Sequence, residues 1–184
     1  RREPQALIVM RQSCAPLMAR AVMRLFEGGC LGPELAAEWG FCYAFDLPRA
    51  LSEADFPGIE AEMLAIAERD EPFERIDQPR ERAVEICRDL RQTYKLALIQ
   101  RDWSGAANVS FYQQGEFLDL CPGPHLPTSG CVGPFKLLSV AGGCWNGESP
   151  RAHWQQLHGT AFFTQTELEE HLQRRDRAGC PPAL

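Results

Sequence analysis

The sequence predicts an α+β fold, with helices packed on a largely antiparallel sheet. Apolar residues at three- and four-residue steps mark amphipathic helices, and short aromatic or branched runs mark strands. The two kinds are mixed without the regular strand–helix–strand repeat of a parallel sheet. No internal repeat or low-complexity stretch interrupts them.

Residues 1 to 10 read as a short strand or tail. From Ser13 to Phe26, the spacing of Leu17, Met18, Ala21, Val22, Leu25 and Phe26 predicts a helix stopped by Gly28-Gly29. Pro16 suits only a first turn, which places the helix start at Ser13 or Cys14. Leu31 to Leu47 carries Gly32-Pro33 and then aromatic-rich Trp39 to Asp46, whose latter half reads as a buried strand. Ser52 can cap a helix over Glu53 to Arg69, with Ile59, Met63 and Ile66 inward and Pro57 marking its first turn. Phe73 to Ile76 reads as a strand. A helix from about Pro79 to Tyr94 follows, with Ala83, Val84, Ile86, Cys87 and Leu90 facing the core. Leu96 to Ile99 is a short apolar run ahead of a polar loop. Phe111-Tyr112 and Phe117-Leu118, separated by Gln113-Gln114-Gly115-Glu116, predict a hairpin. Phe135 to Trp145 and Gly159 to Phe163 supply further strands, and a last helix runs from Gln165 or Thr166 to Arg175.

Composition narrows the function classes. With 184 residues, 45% hydrophobic and 24% charged, the chain fits one domain with a real core. No run approaches the roughly 18 apolar residues of a membrane span, so no membrane partner is expected. Ala6 to Met10 is too short for a signal-peptide core of roughly 7–15 residues, and a cytoplasmic location is expected. The opening Arg suggests a cut or fragment boundary. Eight cysteines without an export signal or a Cys-x-x-Cys pair read as reduced thiols. A net charge of −6 argues against broad, non-specific nucleic-acid binding, but leaves room for a pocket holding one terminal nucleotide. Among nineteen basic residues, only Lys95 and Lys136 are lysine, the one cation whose proton affinity shifts readily on burial.

Glu116 to His125 is the segment that carries chemistry. It ends in Cys121-Pro122-Gly123-Pro124-His125, a Cys-x-x-x-His pair on a loop that two prolines keep from being helical. Asp119 lies two residues before Cys121, so in a strand both side chains leave the same face. A thiol, an imidazole and a carboxylate together suit a metal site or proton transfer; a buried Cys beside a solvated turn His is the plainer alternative.

With Ser110 to Phe117 leading in, and Phe135 to Trp145 and Gln155 to Phe162 following, this segment resembles the second additional, or editing, domain of threonyl-tRNA synthetase, related to one in alanyl-tRNA synthetase. The likeness runs over residues 11–177, leaving 1–10 as an N-terminal tail or strand and 178–184 as a tail outside the family. It implies hydrolysis of serine mischarged on threonine tRNA, an ester-hydrolase activity needed because a threonine pocket cannot reject smaller serine by binding alone. It also implies, as partners, the 3′ end of threonine tRNA and the catalytic domain of a threonyl-tRNA synthetase. By the same likeness Cys121, His125, Asp119 and Lys95 are candidate catalytic residues, and Tyr43 and Gln12 candidate substrate-binding residues.

Two departures matter. The family pattern sets an HxxxH pair on the first long helix, on one face and opposite the Cys-x-x-x-His loop; here those positions are Gln12 and Pro16. Neither takes a proton near neutral pH. No cofactor is expected: Cys121 and His125 alone would offer zinc two ligands where its sites use three or four. The loop Gly32 to Glu38 is also altered, and no ATP-site signature is present, so the chain cannot itself charge tRNA. His153, His158 and His171 read as a loop residue, a residue ahead of a strand and a helix residue, all without a role in the site. The sequence therefore predicts an editing-type domain with weak or lost deacylase activity. A working trans-editing hydrolase built on Cys121, His125, Asp119 and Lys95, and a purely structural fragment of a threonine–tRNA ligase, are the alternatives.

Overall fold

In a computed structural model, residues 4–35, 40–143 and 154–178 are described. Helix α1 (Pro4–Leu25) leads into strands β1 (Cys30–Leu35) and β2 (Phe41–Asp46). A 3₁₀ turn (Glu53–Asp55) then opens helix α2 (Phe56–Glu68). Strand β3 (Glu74–Pro79), helices α3 (Arg80–Asp89) and α4 (Thr93–Asp102), and the hairpin β4 (Asn108–Gln114) and β5 (Phe117–Leu120) follow. Strands β6 (Phe135–Gly142) and β7 (Trp154–Ala161) and helix α5 (Gln165–Ala178) complete the described residues. Every strand pairing is antiparallel: one sheet has the order β1-β2-β7-β6, the other β3-β4-β5. The α+β class is as expected. No helix among the described residues is long and apolar enough to cross a membrane.

Alternation along β2 decides which face meets which helix. Phe41, Tyr43 and Phe45 join Leu17, Met18, Ala21 and Val22 of α1 and Ile59, Met63 and Ile66 of α2 in the larger core. Ala44, on the opposite face, joins Trp154 with Ala83, Cys87, Tyr94, Leu98 and Ile99 of α3 and α4, and Val109, Phe111 and Leu120 of the hairpin. Buried Arg20 of α1 donates to Glu71 and Glu116, tying α1 to the hairpin turn at Gly115–Glu116. Gly115 turns there with φ +56°, a conformation glycine adopts without cost.

Several expectations are corrected. Residues 4–10 are neither strand nor tail: Pro4 opens α1 as a favoured first helical residue, and Leu7 and Met10 continue the buried stripe. Pro16 thus lies inside α1, where it removes one backbone N–H, and the helix persists because its flanks Cys14, Ala15, Leu17 and Met18 are buried. The helix expected over Pro79 to Tyr94 is two. Arg91, at φ +56°, breaks it, Gln92 N–H donates back to the Cys87 carbonyl, and Leu96 to Ile99 belong to α4. Strand β7 begins at Trp154, so His158 lies within a strand. The expected strand to Trp145 ends at Gly142 within the described residues, and Cys144, Trp145, His153 and the tail 179–184 lie outside them. Helix α2 and the hairpin stand where the sequence put them.

Candidate active site

Four elements converge on the Cys-x-x-x-His loop. The hairpin β4–β5 delivers Asp119, whose register partner is Tyr112 on the same face. The chain then leaves the sheet into the loop, where Cys121 and His125 turn towards each other, Sγ to Nε2 at 3.2 Å. Gly123 permits this turn: its φ is +66°, and a Cβ there would run into the Tyr112 ring. The Gly123 N–H points at Cys121 Sγ at 3.4 Å. The His125 ring lies between Tyr112, edge-on at 4.4 Å, and Phe73 at 5.2 Å.

Helix α1 closes this side through Ser13. The Ser13 hydroxyl donates to the Val9 carbonyl at 2.8 Å and accepts the Leu126 N–H at 2.8 Å. Its remaining acceptor site faces His125 Nδ1 at 3.5 Å, so the proton of neutral His125 is assigned to Nδ1 and the Nε2 lone pair faces the Cys121 thiol. Ser13 therefore brings the segment 12–16 beside the loop. Gln12 is half-buried and its amide makes no hydrogen bond to the site residues among the described contacts; Pro16 is buried.

A second polar group lies behind the loop. Lys95, in the first turn of α4, is buried with its Nζ 2.9 Å from Asp119 Oδ1, 2.7 Å from Tyr43 Oη and 3.4 Å from the Leu120 carbonyl. Tyr43 donates its hydroxyl proton to Asp119 Oδ2. Burial, then the Asp119 charge, pushes the Tyr43 phenol well above its ordinary range, so it remains a donor at neutral pH. Lys95 is thus no solvated helix-end lysine. Lys136, on β6, is the exposed one: it pairs with Glu60 at 2.8 Å, away from the site.

The residue that sequence reasoning missed is Glu34. Its Oε2 lies 3.4 Å from Cys121 Sγ. Strand β1 carries one extra residue between Leu31, paired with Phe45, and Glu34, paired with Tyr43. Regular alternation would send Leu31 and Glu34 to opposite faces; the bulge puts both on the face of Tyr43 and Phe45. The signal in the sequence is Gly32-Pro33, residues that suit an irregular strand but read equally as a loop.

Burial sets the protonation states. It pushes the Cys121 thiol up to about 12, with Glu34 adding to the rise, so Cys121 is a thiol at neutral pH and a poor nucleophile. Burial brings His125 down to about 4, with Asp119 opposing, so the imidazole is neutral and can accept a proton. Burial, reinforced by the charge of Asp119 and opposed by the Cys121 contact and by Lys95, raises Glu34 to about 7. Among the described residues, no three His, Cys, Asp or Glu side chains are arranged to hold a metal ion. For zinc the loop offers Cys121 and His125, and positions 12 and 16 offer no imidazole.

The other described histidines have partners elsewhere: His158 faces Cys42 Sγ at 3.5 Å, and His171 packs at a tilt against Phe162, ring centroids 4.9 Å apart. A groove of about 480 Å³ between α2, Val132 to Phe135 and Gln165 is lined by none of the site residues.

Comparison with known proteins agrees with this architecture. A family model described as the threonyl and alanyl tRNA synthetase second additional domain matches residues 109–153, which include the hairpin and the Cys121–His125 loop. Similar proteins include the threonine–tRNA ligases of Rhodopirellula baltica, 45% identical over 96% of this chain, Oleidesulfovibrio alaskensis, 43% over 95%, and Symbiobacterium thermophilum, 44% over 92%. The aligned part is 24%, 27% and 26% of those proteins, so the chain spans about a quarter of each relative. Residues 109–153 thus match the threonyl and alanyl tRNA synthetase second additional domain, and nearly the whole chain is similar to a part, about a quarter, of several threonine–tRNA ligases.

Proposed function

We propose that this chain is an editing-type domain that takes up the aminoacylated 3′ end of threonine tRNA beside the Cys121–His125 loop, with hydrolysis of the seryl ester weakened by the loss of two imidazoles from α1. The observation that carries the reading is the intact Lys95–Asp119–Tyr43 group directly behind that loop. Three polar side chains buried together need compensation, and a purely structural fragment has little reason to keep them beside a thiol and a neutral imidazole. Cys121 offers a weak S–H donor to an ester oxygen, and His125 a lone pair. Asp119 and Lys95 fix one another and Tyr43, and so set the field in which an ester would sit. Gln12 and Pro16 occupy the wall from which the family brings its histidines.

The domain would work in the cytoplasm, where tRNA is charged. With a net charge of −6 it would depend on the catalytic domain of a threonine–tRNA ligase to hold the body of the tRNA. The test is deacylation of serine- and threonine-charged threonine tRNA, alongside binding of a non-hydrolysable amide analogue of the seryl end. The expected result is binding with hydrolysis only slightly above the rate in buffer, and loss of that remainder in Cys121→Ala. Failure to bind the analogue at any accessible concentration would reject the reading.

A further inference from the structure

The polar atoms of the site differ in how far they are already engaged. Asp119 gives one oxygen to Lys95 and the other to Tyr43. His125 has Ser13 at Nδ1, and its Nε2 shares the single Cys121 S–H with Glu34 Oε2. Lys95 has three acceptors for its three protons. Glu34 gives Oε2 to the Cys121 thiol, and among the described residues its Oε1 has no hydrogen-bond partner. It is the one carboxylate of the group with a free oxygen, and the β1 bulge aims it at the loop.

We infer that Glu34 is the general base of this site, taking a proton from the water that attacks the ester carbonyl, a task for which Gln12 and Pro16 offer no imidazole. The inference rests on the reading of the site as an aminoacyl-ester hydrolase. The water oxygen bonds to the carbonyl carbon as its proton passes to Glu34 Oε1. The bond from that carbon to the 3′ ribose oxygen then breaks, and the proton returns to the ribose oxygen. A free amino acid and uncharged tRNA result, and nothing is oxidised or reduced. The charged and titratable groups around Glu34 are Asp119, Lys95, Cys121, Cys42 and Tyr43; burial, opposed by the Cys121 contact and Lys95 and reinforced by Asp119, leaves its carboxyl close to a neutral-pH acceptor. His125, held further down by burial, is the weaker base at that pH.

The experiment compares wild type, Glu34→Gln and Glu34→Asp by single-turnover hydrolysis of seryl-tRNA across pH 5 to 9, with binding of the amide analogue measured on each. General-base assistance is typically worth about 10²–10⁴-fold, so Glu34→Gln should fall by that factor or to the buffer rate, whichever comes first. Glu34→Asp should retain part of the rate, and analogue binding should change by less than about threefold, because the isosteric amide fills the same space. The wild-type rate should climb with pH and level off near neutrality, a bend absent from Glu34→Gln. In a Gln12→His, Pro16→His background the loss from Glu34→Gln should shrink, since an imidazole then shares the task. A Glu34→Gln protein that binds the analogue and hydrolyses at the wild-type rate would overturn the inference alone. So would a wild type that binds the analogue without accelerating hydrolysis. Absence of binding in the wild type would instead remove the reading on which the inference stands.

Discussion

Two polar groups lie against each other in this site, and they are built differently. In the Lys95–Asp119–Tyr43 group, every side-chain polar atom has a partner, mostly at 2.9 Å or less. In the Glu34–Cys121–His125 group the contacts are sulfur-mediated and longer, 3.2 to 3.4 Å, and one carboxylate oxygen has no partner among the described residues. A fully matched buried group resists change, because removing any member strands another in low dielectric. A loosely matched one can exchange a partner for a water or a substrate. The first therefore frames the site and the second reacts in it.

The largest effect should come from breaking the matched group. Lys95→Met leaves the Asp119 charge buried without its cation, and should destabilise the fold by about 3–5 kcal/mol, read from denaturant midpoints at unchanged m. A loss below about 1 kcal/mol would mean that Asp119 is not ionised there, and the contrast between the two groups would fail.

The loosely matched group should show itself through pH. The Glu34 carboxyl is raised in the folded protein to about 7, from an ordinary 4.5. Between those values the folded state binds more protons than the unfolded one, so this contribution is fully present below 4.5 and lost as pH rises through 7. His125 runs the other way. With its folded value near 4 against 6.5, its contribution is lost as pH falls from 6.5 towards 4. Glu34→Gln removes the first effect alone. Its stability relative to wild type should climb from pH 4.5 to 7 and stay level above, each tenfold difference in proton affinity being worth about 1.4 kcal/mol. A pH-independent difference would return Glu34 to an ordinary surface carboxylate.

The smallest effect is expected at the α1 wall. Pro16→Ala restores a backbone N–H to the helix interior but removes a buried ring, and these oppose. A net change below about 1 kcal/mol is expected by thermal unfolding. A larger stabilisation would mean that Pro16 strains α1.

What the sequence made legible was local. The hairpin and its loop were readable because Gly115, Pro122, Gly123 and Pro124 act through their own backbone preferences, and the spacing of Asp119, Cys121 and His125 is carried by that short segment. Lys95 and Tyr43 were reached only through the family likeness, since nothing in their neighbourhood says that they meet. The start of α1 is not legible in the sequence, because Pro16 reads as a boundary whereas packing of the flanking residues outweighs one missing hydrogen bond. The break at Arg91 had no glycine or proline to announce it. Glu34 was hidden by a single extra residue, because a bulge reverses the facing of every residue after it and no periodicity in β1 reveals where it falls.

The most direct test of the central claim, an editing-type site short of two imidazoles, is single-turnover hydrolysis of serine-charged threonine tRNA by the Gln12→His, Pro16→His double variant. Ser13, between the two positions, already touches His125, so both new rings would stand on one helical face beside the loop. The account predicts a gain of about 10²–10⁴-fold over wild type, with each single variant gaining far less because the groups act together. A wild type that already hydrolyses the ester as fast as the double variant would contradict it.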